Sequence, residues 1–325
     1  MGTVRSTESH ALRALVSKVK KVTRRYGLAA LAGLLFVGGG CVSTGEAQSP
    51  LLVPEPAQSQ ESSQSSLAQS LPSDKSDEED YEEEMGAIAA PPLLADPTEV
   101  AQRFAGVLPA SWGTDVPGVV SRMDSDGIAL TLDACGGPGG DGFDQVLIDG
   151  LIERNVPATL FLNKRWIDSN PDLTRALAKN PLFEVANHGS EHRPLSVTGA
   201  SAYGISGTTS VAEVVEEVWA NHVALFDITG EPPRFFRSGT AHYDEVAVQI
   251  VSELGERVVG FSVNADAGAT FEAAMVREQV ATAEPGSIVI AHMNRPEGET
   301  AEGILAGIDD QLARGQRFTH LEGLR

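Results

Sequence analysis

Ile128-Ala129-Leu130-Thr131-Leu132-Asp133 is an unbroken apolar and β-favouring run that ends on a carboxylate, and a different periodicity follows it. Over 143–155 the residues Val146, Leu147, Gly150 and Leu151 fall on one helical face, so this stretch is predicted to be an amphipathic helix. A buried strand followed by a crossover helix is the unit of a parallel sheet, whose strands read as continuous apolar runs because both faces are covered. The unit recurs along the chain. Strands are expected at 158–163 and 183–188, with a helix over 173–179 between them. After a Gly/Ser/Thr-rich stretch at 196–210 comes a long helix beginning near Val211, for which Ser210 is the expected N-cap and Glu213 completes a capping box. Strand 234–237 precedes helix 244–254, strand 258–263 precedes helix 273–283, and strand 287–292 precedes helix 300–314; a last strand at 316–321 closes the series. About seven strands alternating with helices predict an α/β fold, specifically an incomplete (β/α) barrel. An open doubly wound sheet is the runner-up, but no dinucleotide fingerprint follows the first strand. Gly136-Gly137-Pro138-Gly139-Gly140 also lacks the G-K-[ST] ending of a phosphate loop, and is expected to form a flexible rim of the site.

The 325 residues divide by composition into three parts: an export segment at 1–41, a linker at 42–95 and a folded region at 96–325. Residues 1–40 carry seven Lys/Arg against the single acid Glu8, then an apolar run from Gly27 to Val37. A basic stretch followed by a short apolar one is the pattern of a signal peptide, and it falls short of the ~20 apolar residues that span a bilayer. Gly38-Gly39-Gly40-Cys41 resembles the cleavage site of a bacterial lipoprotein, with glycine where such sites carry leucine. The expectation is an exported, cell-envelope protein held at a membrane by a lipid on Cys41, with an uncleaved signal anchor as the alternative. The next stretch is Ser/Gln/Pro-rich, then strongly acidic, with eight acids and one lysine over 74–84, a composition that cannot bury enough apolar surface to order itself. Removing the seven basic residues and one acid of the first forty from totals of 24 and 45 leaves 17 basic and 44 acidic residues, a formal charge of −27. That charge repels phosphate backbones and excludes nucleic acid as a partner. Only Cys135 accompanies Cys41, so no disulfide framework exists.

The predicted strand ends concentrate polar chemistry. Asp133 and Cys135, Asn163, His188 and His192, Arg237, Asp266 and His292 all fall where barrels carry their sites. In Asn187-His188-Gly189-Ser190-Glu191-His192, two histidines four apart follow an apolar strand, a spacing at which two imidazoles converge on one metal ion. His222 lies on the apolar stripe of its helix and is expected to be a packed histidine; His10 and His320 have no site context, and His242 could face the site or solvent. Trp166 and Tyr243 are candidate sugar-stacking aromatics or packed rim, and at least one of Phe235 and Phe236 must be core.

Taken together these residues resemble the polysaccharide deacetylases of the NodB-homology type, carbohydrate esterase family four, over roughly 127–324. His188-Gly189-Ser190-Glu191-His192 is similar to the family's H-[ST]-x-x-H, with Gly189 in place of Ser/Thr. Thr131-Leu132-Asp133-Ala134-Cys135 corresponds to T-F-D-D-G, Arg237-Ser238-Gly239-Thr240-Ala241 to R-x-P-[YF]-G, Asp266 to a late aspartate, and Ile290-Ala291-His292 to [LI]-x-H. The resemblance implies a distorted seven-stranded NodB-type barrel and a divalent metal, zinc first, with cobalt, manganese or nickel as alternatives. It implies hydrolysis of N-acetyl groups on an N-acetylated glycan, a carbon–nitrogen (non-peptide) bond. Asp133 would be the general base positioned by Arg237, and His292 the general acid supported by Asp266. Alanine at 134 removes the family's second aspartate, a metal ligand. Asp133 itself, Cys135, or a loop acid such as Asp141 or Asp144 would then complete the set with His188 and His192; residues 133 and 135 share a face of an extended strand. The rival expectation is a non-catalytic envelope protein that binds glycan on the same fold.

Overall fold

The computed structural model describes residues 96–321. The expected export segment and linker lie outside the described residues.

In chain order the elements are α1 (Pro97–Arg103), β1 (Trp112–Gly113), β2 (Ile128–Ala134), α2 (Gln145–Arg154), β3 (Ala158–Leu162), α3 (Lys164–Ser169), α4 (Pro171–Ala178) and β4 (Phe183–Asn187). There follow α5 (Val211–Thr229), β5 (Phe235–Phe236), β6 (Tyr243–Asp244), α6 (Glu245–Glu253), β7 (Arg257–Val258), β8 (Val263–Asn264), α7 (Ala273–Ala281), β9 (Ile288–His292), α8 (Thr300–Ala313) and β10 (Phe318–Thr319). One parallel sheet runs β7-β5-β4-β3-β2-β9-β8, and β10 joins the first residues of β2. The predicted barrel is thus borne out as a curled parallel sheet carrying helices.

The single strand expected at 258–263 is instead two short ones at opposite edges of that sheet. β7 pairs β5, and β8 pairs β9. Between them Val259 N–H still donates to Phe236 O, while Ser262 N–H already donates to Ile288 O. Segment 257–264 therefore leaves one edge of the sheet and joins the other, bridging the open side of the barrel. Gly260 sits at the crossing, where an added Cβ would lie 2.7 Å from Ser121 Oγ. The segment before β2 fills the same gap: Gly260 N–H donates to Val120 O and Met123 N–H to Gly286 O.

Period-two alternation divides β2 between two cores. Ile128, Leu130, Leu132 and Ala134 pack outward against Leu147, Ile148 and Leu151 of α2 and Ile304 and Ile308 of α8. Ala129 points into the barrel with Phe161, Ala186, Phe235, Val259 and Ile288. A third cluster joins Val100, Val214, Val218, Val246 and Ile250 to Phe236 and Tyr243. Phe235 and Phe236 are both buried, one in each of two cores.

Ser210 caps α5 as expected, accepting from Glu213 N. Its reciprocal partner differs from the prediction: the Glu213 carboxylate accepts from Thr209 N and Oγ1, one residue further out. The closing strand is confined to two residues, and α1, α3 and the antiparallel pair β1–β6 were not anticipated.

Candidate active site

Asp133 and His292 stand side by side, because β2 and β9 pair in a register that sets these two residues opposite each other. His188 follows β4, Arg237 follows β5 and Asp266 follows β8, so five strands deliver the site to the carboxyl end of the sheet. There Asp133, Cys135, His188, His192 and His292 line a cavity of about 550 Å³.

Arg237 is fully buried and spends its donors within the barrel. Its Nη1 binds Asp133 Oδ1 at 2.7 Å and Thr131 Oγ1 at 2.9 Å, its Nε and Nη2 reach Val259 O and Gly260 O, and its guanidinium lies over the Phe161 ring. Burial alone would raise the Asp133 pKa, but Arg237, with His188 and His292, brings it below the ordinary carboxylate value. Asp133 is therefore an ionised acceptor whose second oxygen is 3.6 Å from His188 Nε2.

His188 Nδ1 is 2.8 Å from Arg237 O, and a carbonyl can only accept, so Nδ1 carries the proton and Nε2 presents its lone pair to the cavity. Cys135 Sγ lies 3.8 Å from that Nε2. Zinc bonds of 2.3 Å to sulfur and 2.0–2.1 Å to nitrogen at a tetrahedral angle would set such a pair ~3.6 Å apart. The His188 and His192 rings meet edge to face with centroids 4.9 Å apart. One donor atom each from Cys135, His188 and His192 all lie within 4.8 Å of one another. Thiolate and imidazole are the donors a structural or catalytic zinc takes, so these three residues fit a divalent metal. Burial raises the Cys135 pKa, but His192, His188 and His292 together bring it well below that of an ordinary thiol.

Of the four ligand candidates read from the sequence, three converge and Asp133 is engaged by Arg237 instead. Asp141 accepts from Gly137 N on its own loop, and Asp144 caps α2 by accepting from Leu147 N, so neither reaches this group. Ala134 faces the outer core, whereas Asp133 and Cys135 on either side of it both line the cavity.

Asp266 is fully buried and binds His292 twice, Oδ1 to Nδ1 at 2.9 Å and Oδ2 to the backbone N–H at 2.7 Å, with Thr300 Oγ1 on Oδ2 at 3.1 Å. Burial lowers the His292 pKa, but bonding to Asp266, supported by Cys135, carries it well above the ordinary value. The glycine loop supplies the rim as expected, but it is packed: Gly140 N–H bonds Gly137 O, and a Cβ on Gly136 would lie 2.5 Å from Trp166 N.

Of the two readings open for Trp166 and Tyr243, sugar-stacking or packed, both residues take the packed one. Trp166 and Tyr243 are fully buried, the first donating its indole N–H to Gly142 O and the second accepting from Ser238 N. An exposed aromatic of the cavity lining is Tyr203, 82% exposed, with its ring edge-on to His242. Tyr203 lies in the irregular Gly/Ser/Thr stretch, where no periodicity distinguishes it. His222 is a packed histidine as anticipated, bonded to buried Glu256 at 2.8 Å and stacked on Trp219. Among the described residues seven non-glycine residues have positive φ, and five of them, His192, Tyr203, Thr240, Ala241 and Ala267, line this cavity. Backbone strain of that kind collects where a site dictates conformation.

Residues 121–259 match the polysaccharide deacetylase family, which bears out the resemblance read from the motifs. The fold is similar to a CE4 family pseudoenzyme from Bacillus anthracis, with TM-score 0.54 and 20% identity over 65% of this chain and 69% of that one. It is also similar to a peptidoglycan N-acetylglucosamine deacetylase, with TM-score 0.53 and 20% identity over 64% of this chain and 92% of that one. A family 4 carbohydrate esterase from Streptomyces lividans, solved with acetate, has TM-score 0.50 and 20% identity over 60% of this chain and 92% of that one.

Proposed function

We propose that this polysaccharide deacetylase-family domain removes N-acetyl groups from an N-acetylhexosamine glycan of the cell envelope, using a divalent metal, zinc first, held by His188, His192 and Cys135. The observation that carries the reading is the convergence of two ion-paired groups, Asp133 held by the Arg237 guanidinium and His292 by the Asp266 carboxylate, on the cavity lined by those three donors. A bound metal of this kind supplies Lewis-acid polarisation of an amide carbonyl and makes water more acidic. Asp133 accepts the proton of the attacking water, with Arg237 holding one oxygen so that the other faces the cavity. His292 carries the proton needed by the departing amine, because Asp266 keeps it an imidazolium near neutrality. Tyr203 at the mouth offers a sugar ring an exposed aromatic face.

The alternative is a glycan-binding protein without turnover, and Ala134 in place of the family's second aspartate is the observation that favours it. Elemental analysis of the purified full chain, paired with acetate release from N-acetylglucosamine oligomers after zinc or cobalt reconstitution, separates the two. Stoichiometric metal with acetate release supports the hydrolase. A folded chain that takes up no metal and releases no acetate leaves the binding protein.

Export and lipid attachment at Cys41 rest on residues 1–41 alone. Among the described residues no helix is long and apolar enough to cross a membrane.

A further inference from the structure

His192 sits in a tight curl of backbone, with φ of 61°, a left-handed conformation that few non-glycine residues take, and the bonds on either side of it hold it there. The carbonyl side of the curl is held by Asn163, whose Nδ2 donates to His188 O at 2.9 Å and Gly189 O at 2.8 Å. The N–H side is held by one residue from a distant helix. Glu217, in the second turn of α5 and 3% exposed, accepts with its carboxylate from Glu191 N, Arg193 N and Ser190 Oγ at 2.9–3.1 Å. Its backbone carbonyl takes Ser190 N–H at 2.9 Å. These donors flank His192 on both sides.

Space for that carboxylate exists because residue 189 has no side chain. A Cβ on Gly189 would lie 2.4 Å from Glu217 Oε1, and the residue's φ is +76°. The Ser or Thr found at this position in the motif that the sequence resembles cannot coexist with Glu217 in this conformation. Gly189 and Glu217 are thus two halves of one arrangement, in which a buried acid from outside the motif does the holding.

We infer that Glu217 is a positioning residue for the metal: by gathering the N–H groups on either side of His192 it fixes that imidazole against Cys135 and His188, and so sets how tightly the site takes up a divalent ion. The inference rests on the proposed metal reading. A group that orients a ligand, rather than supplying one, typically changes metal affinity by 10–100-fold when removed.

The test is the zinc dissociation constant of the full chain, measured by competition with a chromophoric chelator, for wild type, Glu217→Ala and the near-isosteric Glu217→Gln. Val280→Ala, a buried truncation on α7, serves as a control for general loss of stability. Glu217→Ala is expected to bind zinc ~10–100-fold more weakly, and Glu217→Gln to lose less because one acceptor oxygen remains. The cobalt-substituted protein should show a changed visible spectrum in Glu217→Ala and not in Val280→Ala, even at an equal drop in Tm. If Glu217→Ala does not fold, Glu217→Gln alone carries the comparison. Zinc affinity and cobalt spectrum unchanged in a folded Glu217 variant would overturn the inference. A wild-type chain that binds no zinc would instead remove the metal reading beneath it.

Discussion

Asp266 holds His292 at two points, the ring Nδ1 at 2.9 Å and the backbone N–H at 2.7 Å, so both the orientation and the charge of this imidazole depend on one carboxylate. The pair sets the direction of a pH effect. A group that must donate a proton loses activity as pH rises through its pKa, and Asp266 holds that pKa well above the ordinary value. Asp266→Asn should therefore move the alkaline limb of kcat/KM to lower pH while zinc content stays at wild-type stoichiometry. His292→Ala should lower kcat by ~10²–10⁴-fold with metal retained. His188→Ala should lose metal and turnover together. Equal metal loss in the His292 and His188 variants would contradict the acid assignment.

On the proposed metal reading, Cys135 supplies a sulfur ligand where the resemblance leads one to expect a carboxylate, and this has a spectroscopic consequence. The cobalt-substituted wild type should display a sulfur-to-cobalt charge-transfer band that Cys135→Ser abolishes. Cys135→Ser should also shift metal preference away from zinc, since a hydroxyl is a harder and weaker ligand than a thiolate. A charge-transfer band surviving in Cys135→Ser would exclude the sulfur from the metal.

Much of this site was legible before the fold was known, and the gaps have physical causes. Asp133, His188, Arg237, Asp266 and His292 were legible because each ends or follows an apolar strand, and a parallel sheet gathers such positions at one end. The different surroundings of Asp133 and Cys135 were not legible, since alternation puts both on one face; Arg237, which binds Asp133, arrives from a strand far along the chain. Segment 257–264 read as one strand because its apolar run is continuous, although its halves pair with opposite edges of the sheet. Trp166 and Tyr243 stayed open between sugar-stacking and packing because an aromatic near a strand end can point inward or outward with the same local sequence. Glu217 does carry a signal in the sequence, an acid set among Val214, Val215 and Val218 on the buried side of α5.

Tyr203 is 82% exposed at the cavity mouth while holding a left-handed backbone, φ 51°, that a tyrosine gains nothing from locally. If it stacks on a sugar ring beyond the reacting one, its removal should matter only for substrates long enough to reach it. Tyr203→Ala should raise KM for N-acetylglucosamine tetramers several-fold and leave kcat nearly unchanged, since burying apolar surface of a sugar against the ring at ~25 cal/mol per Å² contributes on the order of 1 kcal/mol. Kinetics on dimers run in parallel should show no difference; an equal effect on both lengths would remove the subsite.

Glu245 clamps the segment before β2 to α6, accepting from Ala110 N and from Ser111 N and Oγ. Those bonds, the one from Ala110 first, hold its pKa down to about 2 against an ordinary 4.5. A depressed carboxylate contributes stability that is fully present above the unfolded value and is lost as pH falls through the folded one. The Tm of wild type should therefore exceed that of Glu245→Gln at neutral pH, and the two should converge between about 4.5 and about 2. Parallel melting curves across that window would refute the clamp.

Gly303 and Gly307 lie one turn apart on α8 and let it approach α7 until the backbone itself is in contact. A Cβ on Gly307 would stand 2.6 Å from Val280 Cβ, 2.8 Å from its Cγ1 and 3.2 Å from Arg277 O; on Gly303 it would stand 2.4 Å from Val276 Cβ. Two effects oppose each other in Gly307→Ala. Alanine is favoured over glycine inside a helix by ~1 kcal/mol, whereas forcing an added methyl into a closed contact costs ~1–3 kcal/mol. The clash wins here because one atom it meets is the fixed Cβ of Val280 rather than the free end of a flexible chain. Gly307→Ala should lower stability by ~1–2 kcal/mol, read as a fall in Tm of roughly 2–8 °C for a domain of this size. Adding Val280→Ala should recover only part of the loss, since it removes the 2.8 Å contact and leaves the 2.6 Å one. A Gly307→Ala protein more stable than wild type would mean that the two helices can separate at little cost.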